Sequence, residues 1–141
     1  IEDEVNIVKA TTTSNEVGVE SVFTAENLFL YQKLVRNVPV ADNVIQYAVN
    51  FVNSTRTNNN GNISKIANDW LEWGAGPRAS MYLVLAAKAC AILDGRTTPD
   101  ISDVQKMLNP VLRHRIIPSF NAEVDGVNRD DILNKLLDSS N

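Results

Sequence analysis

Residues 78–93 read RASMYLVLAAKACAIL, and in that run only Arg78, Ser80 and Lys88 are clearly polar. A helix apolar on nearly every side has to be surrounded by other elements. The run is too short for a bilayer span, which takes roughly 20 apolar residues. It therefore predicts the central helix of a folded domain, with Leu83, Leu85, Ala86, Ala89, Cys90 and Leu93 buried. Gly76 and Pro77 stand at cap and first-turn positions before it, and Gly95 stands where the helix closes. A chain of 141 residues is long enough to enclose such a helix in one core without metal or disulfide help.

The flanking sequence supplies further helices. Residues 1–10 predict a short helix with acids in its first turn, and residues 11–22 a polar connector. Thr24 is placed to cap a helix from Ala25 to about Val35, with Leu28, Tyr31, Leu34 and Val35 on one face. Pro39 makes Val38 extended. Asp42 is placed to cap a helix to about Thr55 that carries Val44, Ile45, Ala48, Val49 and Val52 at helical spacing. Residues 57–62 are a loop, and Ile63 to Trp73 fits a short helix slightly better than a strand. Asp100 and Asp103 have cap and third-position spacing for a helix through Met107, and Pro110 starts a further turn to Arg115. Ile116 to Pro118 is extended, and Asn128 with Asp131 opens a last helix through Leu137. The expected fold class is all-α, a bundle of about six helices with little or no sheet, over residues 1–141 as a single domain.

Composition removes several functions. The net charge is −4 with a pI near 4.9, and residues 1–22 carry five acids against Lys9, so the rest of the chain balances. That argues against general nucleic-acid binding, which needs a broad basic face, and leaves only a small basic focus from Arg78 to Arg115. One cysteine and one histidine exclude a disulfide framework and a Cys/His zinc site, so no metal ligands are expected. Neither a P-loop nor a G-x-G-x-x-G run occurs. His114, flanked by Arg113 and Arg115, has no strained nucleophile to serve, and Cys90 reads as a small core residue. Asn53-Ser54-Thr55 and Asn62-Ile63-Ser64 match the glycosylation pattern by chance, since no secretory signal opens the chain. A cytoplasmic protein without membrane insertion is expected. The start at Ile1 without an initiator Met points to a piece excised from a longer chain.

Local physics is in conflict at one place, Gly74-Ala75-Gly76-Pro77-Arg78-Ala79. A helix N-terminus exposes unpaired N–H groups and a positive partial charge, yet Arg78 adds a cation in that first turn. An anion held between the helix end and the guanidinium would resolve the conflict. Two glycines permit close backbone approach, and Trp70 and Trp73 could wall the place or staple the helix entry. Pairing of Arg78 with Glu72 or Asp69 would resolve it equally well. Both readings stand at this point.

Trp73-Gly74-Ala75-Gly76-Pro77-Arg78-Ala79-Ser80, then Ala86-Ala87-Lys88-Ala89, then Asp94-Gly95-Arg96, resembles the lid of the MoxR family of AAA+ ATPases. The likeness continues through Val111-Leu112-Arg113-His114-Arg115-Ile116 and Phe120-Asn121-Ala122-Glu123 to Gly126. It runs backwards through Thr55-Arg56, Tyr47 and the Leu34 to Val40 stretch, so it covers nearly the whole chain in family order. The chain departs from the pattern in its Asn-rich loop at 57–62 and in Thr98 to Asp103, where the family usually has a shorter start.

The resemblance implies the C-terminal helical lid of an AAA+ ATPase, with residues 1–22 as junction helix and connector and residues 23–141 as the lid. The fragment itself would not be an enzyme. ATP would be the cofactor, with Mg²⁺ held by the missing core domain. Arg78 matches the family's sensor 2 arginine, the catalytic residue of the set, and Gly74, Gly76 and Pro77 would set its approach to the nucleotide. Such ATPases form homo-oligomeric rings, expected to be hexamers, that act as chaperone-like remodellers beside partners with von Willebrand factor A domains. Arg113, His114 and Arg115 would serve subunit or core contacts, reaching an acidic neighbour. The competing reading is a freestanding helical interaction module with no link to nucleotide.

Overall fold

Short-range chemistry sets most of the helix ends. The computed structural model describes residues 1–13, 18, 20–57 and 64–140. The Asp100 side chain accepts from the backbone N–H groups of Ser102 and Asp103, and the Asp103 carboxylate accepts in return from the Asp100 N–H. This reciprocal box starts α6 (Ile101–Lys106). Asn128 and Asp131 build the same box at α9 (Arg129–Asp138). Gly76 is the N-cap, and Pro77 the first residue, of α5 (Pro77–Leu93). Past its other end Gly95 takes φ 72°; the Gly95 N–H donates to the Ile92 carbonyl and the Arg96 N–H to the Ala91 carbonyl. That is a Schellman closure, and it needs a residue that tolerates the left-handed region.

The chain divides into two compact units, residues 1–30 and 31–141. In the first, α1 (Glu2–Thr12) opens on Glu2, Asp3 and Glu4 and has no buried residue. The helix α2 (Ala25–Asn37) begins there, with the Asn27 N–H donating to Thr24 Oγ1 at 3.2 Å. Its expected apolar stripe is not buried: of Leu28, Tyr31, Leu34 and Val35, only Val35 is partly covered. The expected connector falls partly, and the Asn-rich loop and the second glycosylation match almost wholly, outside the described residues.

The second unit holds α3 (Asp42–Ser54), α4 (Lys65–Trp70), β1 (Leu71–Trp73), α5, α6, α7 (Leu108–Leu112), β2 (Ile117–Pro118), α8 (Phe120–Val124) and α9. Here α5 packs against α3, α6 and α7, while α9 closes against α4, α3 and α7. Val44, Ala48, Phe51 and Val52 of α3 meet Leu83 and Ala87 of α5, Val104 of α6 and Ile132, Leu133 and Leu136 of α9 in one core. The strands pair antiparallel, Leu71 opposite Pro118 and Trp73 opposite Ile117. The described residues thus form nine helices and one two-stranded sheet, a mostly helical fold as expected but with more and shorter helices than six.

Several local expectations are corrected. Ala41, not Asp42, is the N-cap of α3, and no side chain bonds there. The region up to Trp73 is helix and then strand, because the Ser119 N–H donates to the Trp70 carbonyl and draws the chain out of the helix. Helix α7 begins two residues before Pro110, which its first turn tolerates since that N–H needs no intrahelical partner. Helix α8, capped by Ser119 accepting from the Ala122 N–H, has no counterpart in the expected set.

The central helix is not enclosed on every side. Its buried residues are Ala79, Leu83, Ala87 and Ala91, a single stripe of every fourth position. Leu85, Ala86, Ala89 and Cys90 are only half-buried, and Leu93 is 86% exposed. The reason is alanine. It makes a helix read as apolar while carrying little area to bury, and its small size lets α3 and α6 approach one face closely. Leu93 lies in the last turn, where the chain leaves the core for Gly95.

Among the described residues no helix is long and apolar enough to cross a membrane.

Candidate functional site

The site is built from the end of α3 upward. Thr55 follows α3 and is fully buried; its hydroxyl donates to the Val52 carbonyl at 2.7 Å and accepts from the Ala75 N–H at 2.9 Å. Arg56 Nε donates to the Ala75 carbonyl at 3.0 Å. Two consecutive residues thus hold both backbone groups of Ala75, which is itself buried. Gly74 lies flat on this anchor: a Cβ there would strike the Thr55 carbonyl and come 2.8 Å from Arg56 Cα. Gly76 differs. It has φ −85°, and nothing lies within 4 Å of where its Cβ would be.

The loop so anchored delivers Pro77 and Arg78 to the first turn of α5. Arg78 is exposed and forms no ion pair or side-chain hydrogen bond among the described residues, so the expected alternative of pairing with Glu72 or Asp69 is not realised. It lines an open cleft of ≈ 530 Å³ with Trp73, Gly74, Gly76, Pro77, Ala79 and Arg115. A second cleft beside it, ≈ 310 Å³, is walled by Arg56, Thr57, Trp73 and the 74–77 loop. Among the described residues no acid lines either cleft. Trp73 walls both, but Trp70 walls neither: it is half-buried under Lys135, whose ammonium lies 4.9 Å from the ring centre.

Two arginines elsewhere, Arg96 and Arg113, are neutralised by aspartates. The Arg96 guanidinium bonds both oxygens of the fully buried Asp103, at 2.8 and 2.5 Å, and also reaches Asp94 at 3.0 Å. The Arg96 bonds hold the Asp103 carboxyl below the usual carboxylate range. A second depressed carboxyl is Asp100, where the Ser102 hydroxyl is the leading cause. Arg113 makes a two-pronged bond with Asp130, at 2.8 and 2.6 Å. Its acidic neighbour is therefore in this chain. His114 is exposed. Burial pushes the Cys90 thiol above its ordinary range, which disfavours the reactive thiolate.

The expected site residues Gly74, Gly76, Pro77 and Arg78 thus share one cleft. Sequence reasoning missed Arg115 and the Thr55–Arg56 anchor as parts of it, since contacts 19 and 20 residues apart leave no periodic trace. A cleft with unneutralised guanidiniums and no carboxylate suits an oxyanion such as a phosphate. It does not suit a metal ion, and no cluster of His, Cys, Asp or Glu among the described residues would hold one.

A mostly helical domain with an anion-suited cleft at the start of its central helix is the class defined so far. By sequence the AAA lid domain family matches residues 63–136, just over half of the chain, and the chain belongs to that family. It is 27% identical over 118 residues to the chaperone MoxR1 of Mycobacterium tuberculosis, a match covering 84% of this chain and 31% of that protein. The uncharacterized protein YeaC of Bacillus subtilis is 25% identical over 136 residues, 96% of this chain and 39% of YeaC. The protein MoxR of Paracoccus denitrificans is 48% identical over a shorter stretch of 46 residues, 33% of this chain and 14% of that protein. A solved structure of a candidate ATPase from Cytophaga hutchinsonii superposes with a TM-score of 0.75 at 20% identity, over 96% of this chain and 41% of that one, which shows the shared fold. The resemblance to the MoxR family stands. The chain spans less than half the length of each of these relatives.

Proposed function

We propose that this chain is the sensor 2 lid of a MoxR-type AAA+ ATPase, in which Arg78 is placed against the terminal phosphate of ATP. The observation that carries this reading is Arg78 itself, exposed on the first turn of α5 without a carboxylate partner among the described residues, in a cleft lined by no acid. An arginine so placed stabilises phosphoryl charge as it shifts in the transition state and couples phosphate loss to movement of the lid. The P-loop and the ligands of Mg²⁺ belong to an ATPase core elsewhere in the same polypeptide, with residues 1–22 as the junction and residues 23–141 as the lid. The full protein is a cytoplasmic homo-oligomeric ring, a hexamer, that remodels client proteins, with a von Willebrand factor A domain protein as partner. Arg78 acts on the nucleotide of the neighbouring subunit.

A mixing experiment tests this. Full-length subunits carrying Arg78→Ala are combined with subunits whose P-loop lysine is removed, each inactive alone. At a mixed junction an intact P-loop from the first meets an intact Arg78 from the second, so hydrolysis partly returns. Flat activity at every ratio, with mixed rings confirmed, contradicts action on the neighbour's nucleotide. Full activity of the Arg78→Ala protein on its own contradicts the sensor role.

A further inference from the structure

Of the seven arginines, two are paired with carboxylates among the described residues. Arg96 and Arg113 are saturated by aspartates and serve to join elements. Arg115, two residues after Arg113, is handled differently. Its Nε donates to the Val111 carbonyl at 3.0 Å, and the guanidinium lies 4.8 Å from the centre of the Tyr82 ring. Both contacts fix the side chain without neutralising it. No acid among the described residues pairs with it, and its terminal nitrogens have no hydrogen-bond partner there. The cleft that it lines is the one that holds Arg78.

Two cations sharing one cleft repel each other, and a structural role would be better served by a carboxylate between them. Such carboxylates face Arg96 and Arg113, and none among the described residues pairs with Arg78 or Arg115. The repulsion turns to advantage only when an anion with several oxygens enters. A phosphate group offers enough oxygens for two guanidinium forks at once. A half-buried arginine already stacked and bonded at Nε loses little further freedom on binding.

We propose that Arg115 is a second phosphate-binding residue, gripping together with Arg78 the same phosphate group. This rests on the reading of Arg78 as a phosphate-facing residue. Sequence distance hides the pair, since Arg115 follows α7 while Arg78 opens α5, and the strands β1 and β2 bring the two segments together through Trp73 opposite Ile117.

The test uses the 141-residue chain, isotope-labelled, titrated with inorganic triphosphate at low ionic strength while the arginine Nε–Hε signals are followed by NMR. The Arg78 and Arg115 signals should move together with one apparent Kd, and the Arg113 signal, locked to Asp130, should stay. Arg115→Ala should weaken binding about tenfold and Arg115→Lys, which keeps the charge and loses the fork, about threefold. Arg113→Ala should leave the affinity unchanged. Movement of Arg78 alone, or an unaltered Kd in Arg115→Ala, overturns the paired grip and leaves the Arg78 reading intact. Movement of neither signal also overturns the grip; the Arg78 reading is then decided separately, by hydrolysis in the full-length protein.

Discussion

Gly74 and Gly76 stand two residues apart in one loop and do different work. Gly74 is required by the fold, because any side chain there meets the backbone of Thr55 and Arg56, which cannot give way without releasing the buried Ala75. Nothing among the described residues requires Gly76; its Cβ would enter open space at an ordinary φ. Overpacking of this kind costs about 1–3 kcal/mol, so Gly74→Ala should lose that much in urea unfolding. Gly76→Ala should lose less than about 1 kcal/mol, the range of an N-cap change. Equal losses would show that the Thr55 anchor does not constrain the loop. The residues of the site were legible in the sequence as a conflict, an arginine in a helix's first turn, but that conflict left anion and ion pair equally open. The structure removes the ion pair among the described residues, and the packing of Gly74 on Thr55, with the bonds to Ala75, accounts for where the loop lies.

Elements were legible where their ends are set within three or four residues. The boxes at Asp100–Asp103 and Asn128–Asp131, the Gly76–Pro77 entry and the Gly95 exit are all of that kind. Helix α8 and strand β1 were not, because five and three residues cannot hold a conformation without the tertiary bonds from Ser119. The same distinction explains α5: the sequence displays apolarity, whereas burial follows from which neighbour reaches which face. Apolar packing between α5 and α6 is joined by an electrostatic link just past the end of α5, where buried Asp103 is held by Arg96 and by the Asp100 N–H. A carboxyl whose folded-state pKa is depressed contributes stability that is fully present above its unfolded value of about 3.9 and is lost as pH falls through the folded value. The melting temperature should therefore be nearly level from about pH 7 to about pH 5 as far as Asp103 is concerned, and fall below about pH 4. Asp103→Asn should melt lower at neutral pH and show a shallower acid fall. An unchanged acid profile in that variant would remove the Arg96–Asp103 joint from the account.

At the scale of the molecule, aspartates pair with Arg96, Lys106 and Arg113, while Arg78 and Arg115 share one cleft at the start of the central helix with no carboxylate partner among the described residues. That distribution is what a lid needs if it is to close over a phosphate, and the family to which the chain belongs gives the placement a context. The central claim is that Arg78 stabilises charge in the transition state more than it binds the ground state. It is tested most directly by measuring ATP hydrolysis and ATP affinity side by side in full-length Arg78→Ala protein. Loss of one such charge-stabilising donor predicts a fall in kcat of about a hundredfold or more, with the Kd for ATP changed less than about fivefold. Equal losses in both would make Arg78 a binding residue only, and full retention of hydrolysis would contradict the account.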